Sequence, residues 1–180
     1  LMVPPLLLAL FCTKWEMENH LIVFGLGGLL LVTGVALRIW AQMHLHYRLR
    51  AETVLTQTGP YAYVRNPIYL ANTVLIVGLC FISKVVWLAP ALVVWCAVVY
   101  SFVVRHEEAW LSDLCGQPYR EYCQQVPRWL PRLRPLPTGT EVDASRYLWP
   151  SILSEAHNLL LLATFLLKGA LHQHVLRHLY

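Results

Sequence analysis

Residues 59–69 read Gly-Pro-Tyr-Ala-Tyr-Val-Arg-Asn-Pro-Ile-Tyr, a polar, aromatic-rich loop that runs straight into an apolar segment. Gly59-Pro60 punctuates a turn, and Asn66-Pro67 is a helix start, an N-cap side chain followed by proline at the first helical position. Arg65 and three tyrosines, Tyr61, Tyr63 and Tyr69, crowd that start. A helix N-terminus beside an arginine is suited to an anion. Farther along, Arg105-His106-Glu107-Glu108 closes an uncharged stretch. Arg105 and Glu108, at i and i+3, share a helix face and are expected to pair, with Glu107 pointing elsewhere. The two glutamates are either solvated beyond a membrane, with Arg105 snorkelling, or bind something cationic.

A ligand for both groups needs a carboxylate for Arg65, an ammonium or hydroxyls for a glutamate, and an aromatic ring for the tyrosines. S-adenosylmethionine carries all three, and a sulfonium that aromatic faces favour. ATP and NADPH fit less well, because neither a P-loop nor a Gly-x-Gly-x-x-Gly turn is present. The sequence Gly25-Leu26-Gly27-Gly28 falls inside an apolar block and reads as close helix packing.

The elements that position these residues are membrane helices. The 180 residues are 57% hydrophobic and 13% charged, against roughly 25% charged in soluble domains; the mean hydropathy is +0.50. Residues 21–40 hold a single charge, Arg38, and residues 85–104 hold none. At about 1.5 Å per residue each crosses the roughly 30 Å hydrocarbon core. Residues 66–82 form a shorter third span. Residues 1–11 are apolar but broken by Pro4-Pro5, and form either a broken first span or an interfacial helix paired with the second, residues 21–40; they lack the basic start and cleavage site of a signal peptide. Residues 150–171 carry an apolar run flanked by Glu155, His157 and Lys168, and either span or lie in the interface. The expected fold is all-α, a polytopic bundle of four to five transmembrane helices with a cytosolic cofactor pocket. Arginines cluster between the second and third spans and after the fourth, which places both regions in the cytosol. The formal charge of +4 is thus a topology signal, not a nucleic-acid footprint.

Residues 1–134 read as one membrane core, 135–146 as a linker and 147–180 as a C-terminal helix, apolar first and then His-rich. The latter either closes a lipid entry or mediates homodimer contacts. Helices continue beyond the membrane at residues 41–58 and 105–114, and Gly116-Gln117-Pro118 ends the second of these. Residues 119–125 form a short amphipathic piece. Residues 126–131 run extended along the membrane face with Trp129 as an interfacial anchor. The five cysteines form no Cys-x-x-Cys pair, and Cys80 and Cys96 read as small apolar residues within spans. His172, His174 and His178 read as a solvated helix end, and no metal site is assigned.

The ordered set Gly59-Pro60-Tyr61, Arg65-Asn66-Pro67-Ile68-Tyr69, Glu107-Glu108, Gly116, Tyr119, Tyr122 and Val126-Pro127-Arg128 resembles the isoprenylcysteine carboxyl methyltransferase and phospholipid methyltransferase superfamily of integral-membrane enzymes. The resemblance covers roughly residues 20–131. It implies a cytosolic S-adenosylmethionine pocket walled by His46, Thr53, Val54, Leu55, Tyr61, Arg65, Asn66, Pro67, Tyr69 and Glu108. It further implies that a lipidic acceptor enters sideways from the bilayer, with Arg105, Glu107 and Glu108 near the reacting groups and Arg105 and Arg128 orienting the acceptor. The family motif is Arg-His-Pro, and Asn66 replaces its histidine, which removes a titrating base. The expected function is methyl transfer to a carboxylate, amine or thiol of a membrane-partitioned acceptor, in a bacterial inner membrane rather than endoplasmic reticulum. Two other classes stay open: an NADPH-dependent reductase related to sterol reductases, and a non-enzymatic membrane scaffold or metal-handling protein.

Overall fold

A computed structural model describes residues 20–50, 55–137, 143–156 and 163 of the chain. The described residues are helical, with no strands. Helix α1 (His20–Arg50) carries a buried stripe at Val23, Gly27, Leu31, Gly34, Arg38, Ala41 and His44. Spacings of three and four keep that stripe on one face. The stripe packs on α2 (Pro67–Ile82). A tight turn and the 3₁₀ segment Val86–Leu88 lead into α3 (Ala89–Cys115), which buries Leu92, Cys96 and Tyr100 against the same core. Cys80 and Cys96 are both buried there.

Only part of the glycine-rich stretch serves packing. A Cβ at Gly27 would stand 2.9 Å from Phe81 and Ile82 side-chain carbons, so α2 closes on α1 at that point, whereas Gly25 and Gly28 face open space. Two helices, Ile22–His46 and Val86–Cys115, are long and apolar enough to cross a membrane. Their outer faces present Ile22, Leu26, Leu29 and Val32, and Val94, Trp95, Val98 and Phe102, all exposed. The third expected span is a helix of 16 residues, about 24 Å long and short of the hydrocarbon thickness by itself.

Beyond Cys115 the chain breaks at Gly116 and forms α4 (Gln117–Gln125). The segment after α4 does not lie free along a face. It folds back over the 59–65 loop, with Arg65 N donating to Pro127 O (3.0 Å), Arg132 N to Tyr63 O (2.9 Å) and Leu136 N to Ala62 O (2.9 Å). Trp129 is half-buried and packs against the helical core. Leu136, at the start of the expected linker, is buried with Ala62, Tyr119, Tyr122 and Val126. After a short 3₁₀ turn, α5 (Leu148–Ser154) packs on α1. Residues 1–19 and most of 157–180 lie outside the described residues, so the expectations for the first segment and the His-rich helix do too.

Arg38 is the single charged residue of residues 21–40. It is buried among the helices and donates from Nε to Glu155 Oε2 (2.6 Å), from Nη2 to Glu155 Oε1 (2.8 Å) and from Nη1 to Asn72 Oδ1. Glu155 is wholly buried; the apolar run that follows it lies almost entirely outside the described residues.

Candidate functional site

The 59–69 loop is held from three sides. Its 3₁₀ turn, Gly59–Ala62, buries Pro60, Tyr61 and Ala62. Gly59 has φ +59, and a Cβ there would collide with the His44 ring, so the position requires glycine for both conformation and space. His44 Nδ1 lies 2.9 Å from Thr58 Oγ1, which ties the loop to α1. From α4, the Tyr122 hydroxyl donates to Tyr61 O at 2.8 Å. Burial pushes the phenols of Tyr119 and Tyr122 above the ordinary tyrosine range, so both are protonated at neutral pH.

Between this loop and the end of α3 lies a cavity of about 310 Å³. Eight of the sequence-predicted site residues line it: Leu55, Tyr61, Arg65, Asn66, Pro67, Tyr69, Glu107 and Glu108. Glu108 stands between two arginines. Arg65 Nη1 is 3.1 Å from its Oε1, and Arg128 donates to it from Nε (3.0 Å) and from Nη2. Arg128 does not line the cavity but holds its wall. Its bond to Glu108 raises the guanidinium pKa further, so the cation is permanent.

Several expectations change here. Glu108 does not pair with Arg105. Arg105 is exposed, has no ion pair among the described residues and does not line the cavity, because its side chain leaves α3 on the outer face. Glu107 is turned toward the cavity mouth, where the Tyr69 hydroxyl donates to its Oε1 at 2.7 Å. Asn66 precedes α2 but makes no side-chain cap bond. Its Nδ2 instead donates to Arg128 O at 3.2 Å and fastens the strap. His46 is outside the cavity, with Nε2 3.3 Å from Ser154 Oγ of α5. Thr53 and Val54 lie outside the described residues.

The sequence reading missed Leu45, Thr56, Ile68, Trp110, Leu111, Tyr119 and Tyr122 as lining residues. Tyr119 and Tyr122 were visible as members of the ordered motif set, and Leu111 follows Glu107 by one helical turn. Thr56 has no such signal. Its Oγ1 and the Nε of Arg65 are buried in the cavity walls without hydrogen-bond partners among the described residues. Orphaned buried polar atoms in a cavity wall are costly unless a ligand or water satisfies them.

The cavity therefore combines Arg65 and Glu108 in its wall, with Arg128 bracing Glu108 from outside, a second carboxylate at the mouth, and aromatic walls from Tyr61, Tyr69, Trp110, Tyr119 and Tyr122. A ligand carboxylate can compete with Glu108 for an arginine. Glu108, once released, can then take the ligand's ammonium. That donor set fits S-adenosylmethionine.

The chain belongs to the phospholipid methyltransferase family, whose pattern matches residues 21–117. Among curated proteins it is 31% identical over 124 residues to the nickel-cobalt-cadmium resistance protein NccN of Alcaligenes xylosoxydans xylosoxydans, which covers 67% of this chain and 56% of the relative. It is 28% identical over 124 residues to the cobalt-zinc-cadmium resistance protein CzcN of Cupriavidus metallidurans, covering 67% and 55%. The chain spans about half the length of these relatives. No solved structure matches it.

Proposed function

We propose that this chain is an integral-membrane, S-adenosylmethionine-dependent methyltransferase whose acceptor is lipidic or partitions into the membrane. The observation that carries the reading is the cavity at the ends of two span-length helices, where Thr56 Oγ1 and Arg65 Nε have no hydrogen-bond partner among the described residues, beside Glu108 and the tyrosine wall. Family membership supports the same class. The cavity would face the cytosol, the side on which arginines concentrate, and the bacterial sources of the two relatives favour an inner membrane.

The bound cofactor would supply a methyl group activated on a sulfonium. The chain's residues bind and orient it. Arg65 would take its carboxylate, Glu108 its ammonium, and Tyr61 and Tyr69 would border the adenine or sulfonium. Holding acceptor and methyl donor in line lowers the barrier by up to about 7–11 kcal/mol in favourable cases. Glu107, held by Tyr69 at the mouth, is placed to take a proton from an amine acceptor; a carboxylate or thiolate acceptor needs no base. Titration calorimetry of the detergent-solubilised chain with S-adenosylhomocysteine tests the cofactor reading. Saturable binding supports it, and no heat of binding up to millimolar ligand counts against it.

A second reading draws on the printed names of the relatives, both metal-resistance proteins: a membrane protein of metal tolerance that retains the fold without methyl transfer. Thermal melting separates the two, since only a ligand that binds the folded chain raises its melting temperature. S-adenosylhomocysteine should stabilise the enzyme, and cobalt, nickel or cadmium the alternative.

A further inference from the structure

The side-chain atoms buried without a hydrogen-bond partner among the described residues are Thr56 Oγ1, Arg65 Nε, Ser83 Oγ, Arg132 Nη1 and Ser151 Oγ. Of these residues, Thr56 and Arg65 line the cavity. Arg65 is charged and already engaged at Nη1 with Glu108. Thr56 is neutral and 8% exposed. Thr58, two residues on, gives the contrast: its hydroxyl lies 2.9 Å from His44 Nδ1 and ties the loop to α1. The Thr56 hydroxyl holds no such element in place. An unmet hydroxyl in a cavity wall costs stability, and a valine of the same shape would avoid that cost.

The neighbouring neutral polar groups of the wall are engaged. Tyr69 donates to Glu107, Tyr122 to Tyr61 O, and Asn66 Nδ2 to Arg128 O. The Tyr119 hydroxyl is bonded to the Cys123 thiol. Arg65 and Glu108 supply charges, which suit the amino-acid end of S-adenosylmethionine. The adenosyl end is uncharged and presents ring nitrogens, ribose hydroxyls and an apolar ring face. Leu55, next to Thr56 in the chain, and Leu45 of α1 line the same cavity and give such a face apolar surface to pack on.

We propose that Thr56 is the specificity-determining residue for the adenosyl half of the cofactor, its hydroxyl donating to an adenine ring nitrogen or accepting from a ribose hydroxyl. The assignment rests on the S-adenosylmethionine reading and divides the labour of the cavity. Thr56 with the leucines takes the nucleoside, and Arg65 with Glu108 takes the amino acid. A hydroxyl unpaired in the ligand-free wall and paired on binding has an unusual signature. Its removal lowers affinity without lowering the stability of the ligand-free chain. A threonine whose hydroxyl held the fold together would lose stability on the same change.

The test is equilibrium binding of labelled S-adenosylhomocysteine to the full chain in detergent, with adenosine and homocysteine as competitors, beside thermal melting without ligand. Thr56→Val should lower S-adenosylhomocysteine affinity about tenfold, the cost of leaving a ligand polar group unmet in the cavity. Thr56→Ser, which keeps the hydroxyl, should stay within about threefold of the wild type. Adenosine should compete in the wild type and lose about tenfold in Thr56→Val, while homocysteine is unaffected. Glu108→Gln should show the reverse, weakening homocysteine and sparing adenosine. Ligand-free Thr56→Val should melt at or above the wild-type temperature. If the valine variant does not fold, the comparison of Thr56→Ala with Thr56→Ser reads the same hydroxyl. Unchanged S-adenosylhomocysteine affinity on loss of the hydroxyl would overturn the assignment to Thr56 alone. Equal loss of both half-ligands, or a lowered ligand-free melting temperature in the valine variant, would overturn it too by marking a structural role. No binding of S-adenosylhomocysteine to the wild type would remove the methyl-transfer reading and this assignment with it.

Discussion

Arg65 Nη1 stands 3.1 Å from Glu108 Oε1, and the two side chains are each 14% exposed. They come from a loop and a helix end that meet only in the folded chain, and their meeting defines the cavity wall. Arg128, on the strap, closes the other side of the same carboxylate. Glu108→Gln should strand two guanidinium groups and lose charge-assisted bonds. Each such bond is worth roughly 1.5–3 kcal/mol. The expected outcome is at least a tenfold loss of S-adenosylhomocysteine affinity by calorimetry, with a lowered melting temperature. Unchanged affinity would remove Glu108 from the site.

Tyr69 and Glu107 form the second relationship that predicts an effect. Tyr69→Phe and Glu107→Gln should be coupled in a double-mutant cycle by about 1 kcal/mol in methyl-transfer rate. For an amine acceptor, Glu107→Gln should slow transfer by about 10²-fold or more while leaving cofactor-analogue affinity nearly intact. Equal losses of rate and affinity would make Glu107 a binding residue instead.

Gly59→Ala meets two separate penalties. The left-handed conformation costs an alanine roughly 1–2 kcal/mol, and the new Cβ collides with the His44 ring. The single variant should therefore melt well below the wild type. Adding His44→Ala should recover the steric part and leave the conformational part, a coupling readable by thermal melting. Additive losses would contradict the packing of His44 on the loop.

Tyr122 links stability to alkaline pH. Its phenol is raised above the ordinary value by burial. Below about pH 10 the folded and unfolded chains both keep the proton, and the contribution of Tyr122 is fully present. As pH rises past 10 the unfolded chain ionises first, so stability falls until the folded chain also loses its proton. Tyr122→Phe should flatten this decline above pH 10. It should also cost about 1 kcal/mol at neutral pH for the lost bond to Tyr61 O. An identical alkaline slope in the variant would refute the assignment.

What could be read from the sequence was local. Pro67 after Asn66, the uncharged run before Arg105, and the Gly116 break are short-range signals, and the helices start and stop near them. The cluster of Tyr61, Arg65 and Tyr69 at one helix entrance was legible for the same reason. The choice of partners was not. Arg105 is the near neighbour of Glu108 in sequence, but helix phase turns it outward while the strap brings Arg128 within 3.0 Å. Asn66 reads as a cap, yet the strap offers its amide the carbonyl of Arg128. Glu155 is 117 residues from Arg38, and no periodicity links two such positions. Thr56 sits in a stretch without helix or motif, so only the folded cavity reveals it.

The central claim is methyl transfer to a membrane-partitioned acceptor. Its most direct test is incubation of the purified chain with methyl-radiolabelled S-adenosylmethionine and a total lipid extract, followed by extraction and chromatography. The account predicts label in a lipid product from the wild type and its loss in Glu108→Gln. Unlabelled lipid with the wild type, under conditions where the chain is folded and binds S-adenosylhomocysteine, would contradict it.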